Sequence, residues 1–398
     1  MKDQPNPSRL GPVAIPRLWA PGTSELTRAE LVLQDGRVTE IRATSESTAA
    51  PILIPRLVEP HCHLDKTHTI HRMTGIGGDL QSAIDAQRID KVHWSDEDIR
   101  SRARIGLAEM TAAGVGIARS HVDWGDDAPA PRSWSVLLEL AQDHPIDLQL
   151  SALTGVWQMA DKGFARQVAD QIPEGHALGA FVRNQLGQAD GLCNMFAEAE
   201  RRGLPLDFHV DEGLDPDLNG LEEIAEMALA TGFAGPILCG HACSLSLRDD
   251  ATVARIADKL ARAGITVCAL PTTNLYLQGR RNGTPTERGV TLLRDLHAAG
   301  VRIALGADNV RDAFCPVGRH DPLRVLETAV IAAHLDPPFD RWIAAVTTDA
   351  ATALGKPAPA IIGARLDDLL ICDATDMAGL IAGARLTPAA TFAKDMMQ

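Results

Sequence analysis

From about residue 50 onward, short apolar runs alternate with longer segments whose apolar residues recur at helical spacing. Eight runs rich in Ile, Leu and Val follow one another, at residues 52–63, 116–123, 147–153, 177–184, 204–212, 236–243, 264–271 and 301–309. Eight strands separated by helices are typical of a closed parallel barrel, whereas an open doubly wound sheet rarely needs so many at so regular a spacing. The pattern therefore predicts an α/β fold, a TIM-like (β/α)8 barrel.

The two ends of the chain carry a different pattern. Residues 29–42 alternate apolar and polar positions on both sides of Asp35-Gly36, a dipeptide favoured in tight hairpin turns. The tail from Gly363 returns to short strand-like runs. We therefore expect two domains. Residues 1–54 and 361–398 form a small discontinuous β-sandwich, and residues 55–360 form the (β/α)8 barrel.

Composition and charge narrow the function. The chain has 398 residues, of which 45% are hydrophobic and 23% charged, as in ordinary soluble globular proteins. The net charge of -14 repels phosphate backbones and anionic lipids, which argues against nucleic acid and membrane partners. We find no signal-peptide-like apolar stretch and no apolar run as long as a membrane span, so we expect a cytoplasmic protein that acts on small molecules.

Polar side chains follow several of the predicted strands. His61 and His63 are two residues apart at the end of the first strand, so both imidazoles face the barrel lumen and Cys62 faces away. His209 and Asp308 stand at the ends of two further strands, and all strand ends of a parallel barrel meet at one mouth. Three imidazoles and a carboxylate suit one divalent metal ion, zinc or iron, with one position open for water.

Longer motifs surround these residues: VEPHCHLDKT (58–67), SHVD (120–123), FHVDE (208–212), NLYLQGR (274–280) and ADNVRDAFCPVG (307–318). With them the chain resembles the amidohydrolase superfamily, in particular its cytosine deaminase-like branch, and it is also similar to N-isopropylammelide amidohydrolase. The superfamily order of HxH, His, His and Asp is matched by His61, His63, His209, His241 and Asp308. Binuclear members carry a bridging lysine after the fourth strand, where this chain has Arg183, so the resemblance implies a single metal ion.

The resemblance also implies a reaction, the hydrolytic deamination of a small nitrogen heterocycle such as a cytosine-like pyrimidine or a triazine. The metal lowers the pKa of a bound water, and Asp308 accepts a proton as the resulting hydroxide attacks a ring carbon. Glu212 protonates the ring nitrogen and carries protons, so that ammonia leaves. His241 hydrogen-bonds the attacking water and the developing tetrahedral oxygen. The metal ligands in this scheme are His61, His63, His209 and Asp308.

The expected substrate-binding residues depart from the cytosine deaminase pattern. Asn309 stands where that branch has a second acid, so the preferred leaving group can differ. Gly155 falls near the position of the glutamine that reads the edge of cytosine, and Gln158 replaces that glutamine only if the loop shifts. Phe314 matches an aromatic residue near the metal, and Gln278 is retained. A flat heterocycle remains the expected partner, although cytosine itself fits poorly.

Other polar groups near the strand ends receive plainer interpretations. We expect His121 and Asp123 to support the metal ligands without binding the ion. We expect Lys66 to be a loop cation, and His68 and His71 to be solvated loop side chains.

Two alternative functions stay open at this point. One is an amidohydrolase that cleaves a cyclic amide or an N-alkyl amine bond, which product analysis would separate from a deaminase. The other is a non-catalytic barrel that binds a metal or a ligand, against which stands the simultaneous presence of ligands, acid and base. Many barrels associate through their outer helices, so the sequence also leaves a homo-oligomer open.

Overall fold

The structure, a computed structural model, describes residues 8–20, 22–44 and 49–396. Its strands form one sheet of six strands and one of eight. In chain order they are β1 (Ser8–Pro16), β2 (Leu26–Gln34), β3 (Arg37–Ala43), β4 (Ile52–Pro55), β5 (Leu57–Cys62), β6 (Val115–Asp123), β7 (Asp147–Gly155), β8 (Ala177–Val182), β9 (Leu206–Val210), β10 (Ile237–His241), β11 (Thr266–Ala269), β12 (Arg302–Leu305), β13 (Leu369–Cys372) and β14 (Leu386–Pro388).

Helices follow or precede most of these strands. Several begin where a side chain accepts a backbone N–H, as Ser95 and Asp249 do, which satisfies a donor that has no partner within the helix. In chain order the helices are α1 (Leu80–Asp90), α2 (Asp96–Ala112), α3 (Arg132–Asp143), α4 (Val156–Met159), α5 (Lys162–Gln171), α6 (Gln188–Arg202), α7 (Gly220–Thr231), α8 (Asp250–Arg262), α9 (Pro271–Leu277), α10 (Leu293–Ala298), α11 (Pro322–Ala332), α12 (Thr348–Ala353), α13 (Met377–Ile381) and α14 (Ala389–Met396).

Strands β5 to β12 form the predicted parallel barrel. They are neighbours in chain order, and each of the seven consecutive pairs is parallel. An isolated bridge between Cys62 and Asp308 joins the first strand to the segment after the last one, which nearly closes the barrel. Apolar residues of the surrounding helices, such as Leu107 and Leu137, are buried in one cluster with strand residues such as Ala118. The barrel prediction is confirmed.

The first predicted run, residues 52–63, is two strands and not one. Strand β4 pairs antiparallel with β13 in the six-stranded sheet, with Ile52 opposite Cys372. Strand β5 then begins at Leu57 and pairs with β6 in the barrel. A continuous apolar run cannot show this division, because both halves are fully buried and differ only in their pairing partners.

The two chain ends meet in the six-stranded sheet, whose order is β14-β13-β4-β1-β2-β3. The predicted hairpin is present between β2 and β3. Asp35 and Gly36 at its tip have φ of 51° and 73°, the left-handed backbone that a two-residue hairpin turn requires. The predicted terminal β-structure thus takes the form of one sheet in the described residues. Within those residues, no helix has the length and apolar character needed to cross a membrane.

Candidate metal and catalytic site

The mouth of the barrel gathers the polar residues expected at the strand ends. His61 lies in β5 with His63 just after it, His209 lies in β9, His241 ends β10 and Asp308 follows β12. His241 and Asp308 have φ of 71° and 57°, a backbone region that is unfavourable for residues with a Cβ and that concentrates at functional sites. Both side chains line the cavity at the mouth.

Four of these side chains converge on one point, which we call the ligand cluster: His61, His63, His209 and Asp308. The Nε2 atom of His209 lies 3.1 Å from the Nε2 atoms of both His61 and His63. Asp308 Oδ1 lies 3.4 Å from His61 Nε2 and 3.2 Å from His63 Nε2. Ligand atoms about 2.0–2.2 Å from a tetrahedral zinc ion are themselves separated by about 3.3 Å. The spacing of the ligand cluster therefore fits one small divalent ion.

The unpaired atoms of the ligand cluster point to the same fit. Both carboxylate oxygens of Asp308 are buried without a hydrogen-bond partner among the described residues. A buried carboxylate without a partner is unfavourable, and a bound cation would remove that penalty. The ligand cluster therefore suits the divalent metal ion that the sequence predicts.

Protonation states favour metal binding as well. Burial, reinforced by neighbouring His121, lowers the pKa of His61 to about 4. Burial also holds the pKa values of His63 and His209 well below their usual range, so these imidazoles are neutral at pH 7. Burial alone would raise the pKa of the Asp308 carboxyl, but His61 and His63 hold it well below its usual range. Neutral imidazoles and an ionised carboxylate are the forms that coordinate metals.

His121 lies directly behind the ligand cluster. Its ring centroid is 3.9 Å from that of His61, and its Nε2 is 2.9 Å from Asp207 Oδ1. Arg119 Nη1 donates to the other oxygen of Asp207 at 2.8 Å, and all three side chains are buried. His121 is thus within ligand reach but held by a carboxylate. Asp207 was not singled out from the sequence, although a residue two positions before His209 shares its face of the strand.

His241 has one ring nitrogen fixed by a neighbour. Its Nδ1 lies 3.1 Å from Asn274 Oδ1, and its Nε2 is buried with no hydrogen-bond partner among the described residues. An amide oxygen only accepts hydrogen bonds, so Nδ1 carries the proton and Nε2 is left as an acceptor. Asn274, which the sequence analysis did not single out, lies within the NLYLQGR motif.

Glu212 lines the same cavity, with its Oε1 3.7 Å from His241 Nδ1. Burial raises the pKa of its carboxyl, and the charge of Asp308 adds to the increase. The preceding residue, Asp211, has φ of 51°. Its two carboxylate oxygens accept backbone N–H groups at the start of α7, each at 3.0 Å. Asp211 therefore anchors a helix, while burial shifts Glu212 toward the protonated form that a general acid needs.

Asn309 is oriented by a second buried acid. Its Nδ2 donates to Asp312 Oδ2 at 2.7 Å, which leaves its Oδ1 as the acceptor end of the amide at the cavity wall. Asp312 Oδ1 accepts the backbone N–H groups of Phe314 and Cys315 at 2.9 and 3.1 Å. Burial raises the pKa of Asp312 to about 7 in spite of these donors. Asp312 was not singled out from the sequence.

The cavity at the barrel mouth has a volume of about 440 Å³, which lies within the roughly 300–1,000 Å³ usual for small-molecule sites. Phe314 and Trp157 give it aromatic walls. Lys66, expected to be a loop cation, is instead buried in this wall, with its Nζ 2.9 Å from Asp123 Oδ1 and 4.9 Å above the centre of the Phe314 ring. The cavity therefore offers a flat apolar surface beside fixed polar groups.

The two predicted substrate-binding glutamines are placed differently. Gln158 lines the cavity, but its Oε1 accepts from Gly155 N at 2.7 Å and its Nε2 donates to Gly125 O at 2.9 Å. Gln278 is not among the residues that line the described cavity. It follows the end of α9 at Leu277, and its side chain packs beside Gly289. Both ends of the Gln158 amide are therefore hydrogen-bonded to loop backbone. The position of Gln278 gives no support to a contact with substrate.

Comparison with known proteins agrees with this geometry. Residues 74–359 match the family model described as "Amidohydrolase family". The chain belongs to the amidohydrolase family, and to its cytosine deaminase-like branch, so it is a hydrolase that acts on carbon–nitrogen bonds other than peptide bonds. The expected superfamily is confirmed.

Three similar proteins are a pterin deaminase, a 5-methylcytosine deaminase and an N-isopropylammelide hydrolase. The chain is 36% identical over 359 residues to a pterin deaminase of Rhizobium rhizogenes, which covers 87% of this chain and 82% of that protein. The structure of this chain resembles that of the 5-methylcytosine deaminase of Klebsiella pneumoniae liganded with phosphonocytosine. The TM-score is 0.81, with 27% identity and 95% of each chain covered. The N-isopropylammelide isopropylaminohydrolase of Burkholderia multivorans shares the fold, at a TM-score of 0.74 and 23% identity over 95% of this chain and 96% of that one.

Proposed function

We propose that this protein is a metal-dependent hydrolytic deaminase of a fused bicyclic heterocycle that carries a 2-amino-4-oxopyrimidine ring, the ring system of the pterins. The observation that carries the proposal is that Glu212, His241 and Asp308 line one cavity. The 36% identity to a pterin deaminase supports the ring system, and the volume of about 440 Å³ supports a substrate larger than a single pyrimidine ring.

The ligand cluster would hold one zinc or iron ion. Such an ion lowers the pKa of a water molecule and stabilises the negative charge that develops on oxygen. Asp308, whose carboxylate oxygens have no hydrogen-bond partner among the described residues, takes a proton from the attacking water. His241 Nε2 accepts a hydrogen bond from the same water and thereby orients it. In the net reaction, the water oxygen bonds to the ring carbon that carries the amino group.

Glu212 moves the remaining protons. Burial raises its pKa and so favours its protonated form. Glu212 passes this proton to the adjacent ring nitrogen, carries the proton of the new hydroxyl group to the amino group, and regains its own proton from Asp308. The bond from carbon to the exocyclic nitrogen breaks and ammonia leaves, while the carbon keeps the water oxygen as a carbonyl. Asn309 Oδ1 accepts from the amino group, and Phe314 contacts the ring face.

The substrate class is tested by ammonia release from metal-loaded protein with pterin, isocytosine, cytosine and an N-alkylated triazine. We expect pterin to have the highest kcat/KM, and isocytosine to react more slowly because it lacks the second ring. Equal or faster turnover of either single pyrimidine would contradict the bicyclic assignment.

A second candidate reaction is cleavage of an N-alkyl amine, which is favoured by Asn309 standing where the cytosine deaminase pattern has an acid. An amide side chain has no charge to attract an amino group, and it can both donate and accept. Release of an alkylamine from the triazine, without ammonia from pterin, would establish this alternative. A ring-opened acid would instead indicate cleavage of a cyclic amide.

A further inference from the structure

A second group of metal-binding side chains lies outside the catalytic cavity. We call it the second cluster, and it consists of His68, Glu109 and His320. Each residue offers a ligand atom, and these atoms all lie within 4.8 Å of one another. None of the three lines the described wall of the catalytic cavity. His68, expected to be a solvated loop side chain, is only 8% exposed, and His320 is fully buried.

The contacts within the second cluster leave ligand atoms free. His68 Nε2 lies 3.7 Å from Glu109 Oε2, which also accepts the backbone N–H of His320 at 3.3 Å. His320 Nε2 lies 3.1 Å from Thr67 Oγ1. His68 Nε2 and His320 Nδ1 are both buried with no hydrogen-bond partner among the described residues. Two unpartnered imidazole nitrogens beside one carboxylate oxygen are costly unless a ligand satisfies them.

The imidazoles of the second cluster are uncharged, and an arginine lies beside its carboxylate. Burial lowers the pKa of His320 to about 3 and also lowers that of His68, so both rings are neutral at pH 7. Arg311 Nη1 lies 3.4 Å from Glu109 Oε1 and so occupies the oxygen that faces away from His68. The other oxygen, Oε2, accepts the backbone N–H of His320 and has a second lone pair for an ion. A neutral imidazole pair with one carboxylate is a frequent set for divalent transition metals.

The surroundings provide space for the cluster and a route to it. Gly106, in the middle of α2, faces His320, and a Cβ there would lie 3.1 Å from His320 Nε2. On the other side, His68 lines a separate cavity of about 430 Å³ together with the exposed His71. An ion could therefore reach His68 without passing through the catalytic cavity.

We propose that His68, Glu109 and His320 form a second metal site for a divalent ion such as zinc. An ion there would tie α2 to two loops, one following β5 and the other following β12. Those loops contain His63 and Asp308, so the second site would brace the segments that carry two members of the ligand cluster. The proposal does not depend on the identity of the substrate.

The test is zinc content per folded chain after chelation, reloading with zinc and removal of the excess. The parent protein should retain about two ions, and Glu109→Gln and His209→Asn should each retain about one. His71→Gln, which removes an exposed histidine three residues from His68, should match the parent. If the Glu109 variant does not fold, His68→Asn replaces it, because asparagine tolerates the φ of 59° at that position.

The His209→Asn background gives an independent readout. There, zinc should still raise the Tm, and adding Glu109→Gln should remove that increase. One ion in the parent, with none in His209→Asn, would overturn the second site and leave the cluster as a hydrogen-bonded contact between loops. Because zinc content is measured without substrate, a failed deaminase assay would not affect this result.

Discussion

Two side chains of the cavity wall, His241 and Asn309, are each oriented by a neighbouring residue. Asn274 Oδ1 fixes the proton of His241 on Nδ1, and Asp312 Oδ2 fixes the amide of Asn309 with its oxygen free. Neighbours of this kind set the tautomer and the orientation of a reacting group, and their loss typically lowers activity about 10–100-fold. Asn274 and Asp312, which lie behind the cavity wall, therefore belong to the candidate site as well.

Asn274→Leu tests this at His241. The variant removes the acceptor while keeping the branched side-chain skeleton, so we expect kcat to fall about 10–100-fold with little change in KM or metal content. Steady-state kinetics with metal analysis would measure this, and Asn282→Leu at an exposed position is the control. An unchanged kcat would show that the tautomer of His241 is fixed in another way.

Asp312 makes a prediction about stability and pH. Its pKa is about 7 in the folded protein against an ordinary value of 3.8, so the folded state retains a proton that the unfolded state releases. The retained proton stabilises the folded state fully below pH 3.8, and this stabilisation is lost as the pH rises to about 7. Relative to Asp312→Asn, the parent should lose up to about 4 kcal/mol of unfolding free energy between pH 4 and 8. Denaturant unfolding at both pH values measures this, and parallel profiles would refute the assignment.

At the level of elements, the sequence predicts the features that depend on periodicity and on position along a strand. His61 and His63 share a face because side chains alternate along a strand, and His209 and Asp308 join them because parallel strand ends meet at one mouth. Burial of Lys66 and His68 was not predictable in this way, because both lie in a loop whose path depends on packing against distant segments. The pairing of β4 with β13 was not predictable either, because it also depends on contact with a distant segment.

The short helix α4 carries Trp157 and Gln158 on the cavity wall and packs on α6 at Gly191. A Cβ at Gly191 would overlap the carbonyl oxygen of Val156, which is backbone and cannot rotate away. Gly191→Ala should therefore lower the unfolding free energy by about 1–3 kcal/mol and, by displacing α4, raise KM. Gly163→Ala in α5, which meets only the side chain of Asp161, should be neutral or stabilising. Similar stability of the two variants in thermal and denaturant unfolding would contradict this packing.

At the scale of the whole molecule, the barrel has one weak junction, which we call the β5–β12 seam. These two neighbours share no described ladder of hydrogen bonds and are joined by the bridge between Cys62 and Asp308, where Asp308 N donates to His61 O at 2.8 Å. The ligand cluster draws His61 and His63 from one side of the seam and Asp308 from the other. A bound ion would thus hold the barrel closed as well as support catalysis.

Metal removal should therefore loosen one region selectively. We expect chelation to lower the Tm and to speed amide exchange in residues 57–62 and 302–308 more than in β8, because ligand binding to the native state adds to its stability. Hydrogen exchange followed by mass spectrometry would measure both regions in one experiment. Uniform exchange across the barrel strands would show that the ion does not act at the seam.

The most direct test of the central claim is ammonia release from pterin by metal-loaded parent protein and by Glu212→Gln, with Glu226→Gln at an exposed position of α7 as the matched control. We expect stoichiometric ammonia from the parent and from the control, and a loss of about 100–10,000-fold in kcat for Glu212→Gln at unchanged metal content. Undiminished ammonia release by Glu212→Gln would contradict its role as the proton carrier. No ammonia from the parent, with its metal bound, would contradict the deaminase itself.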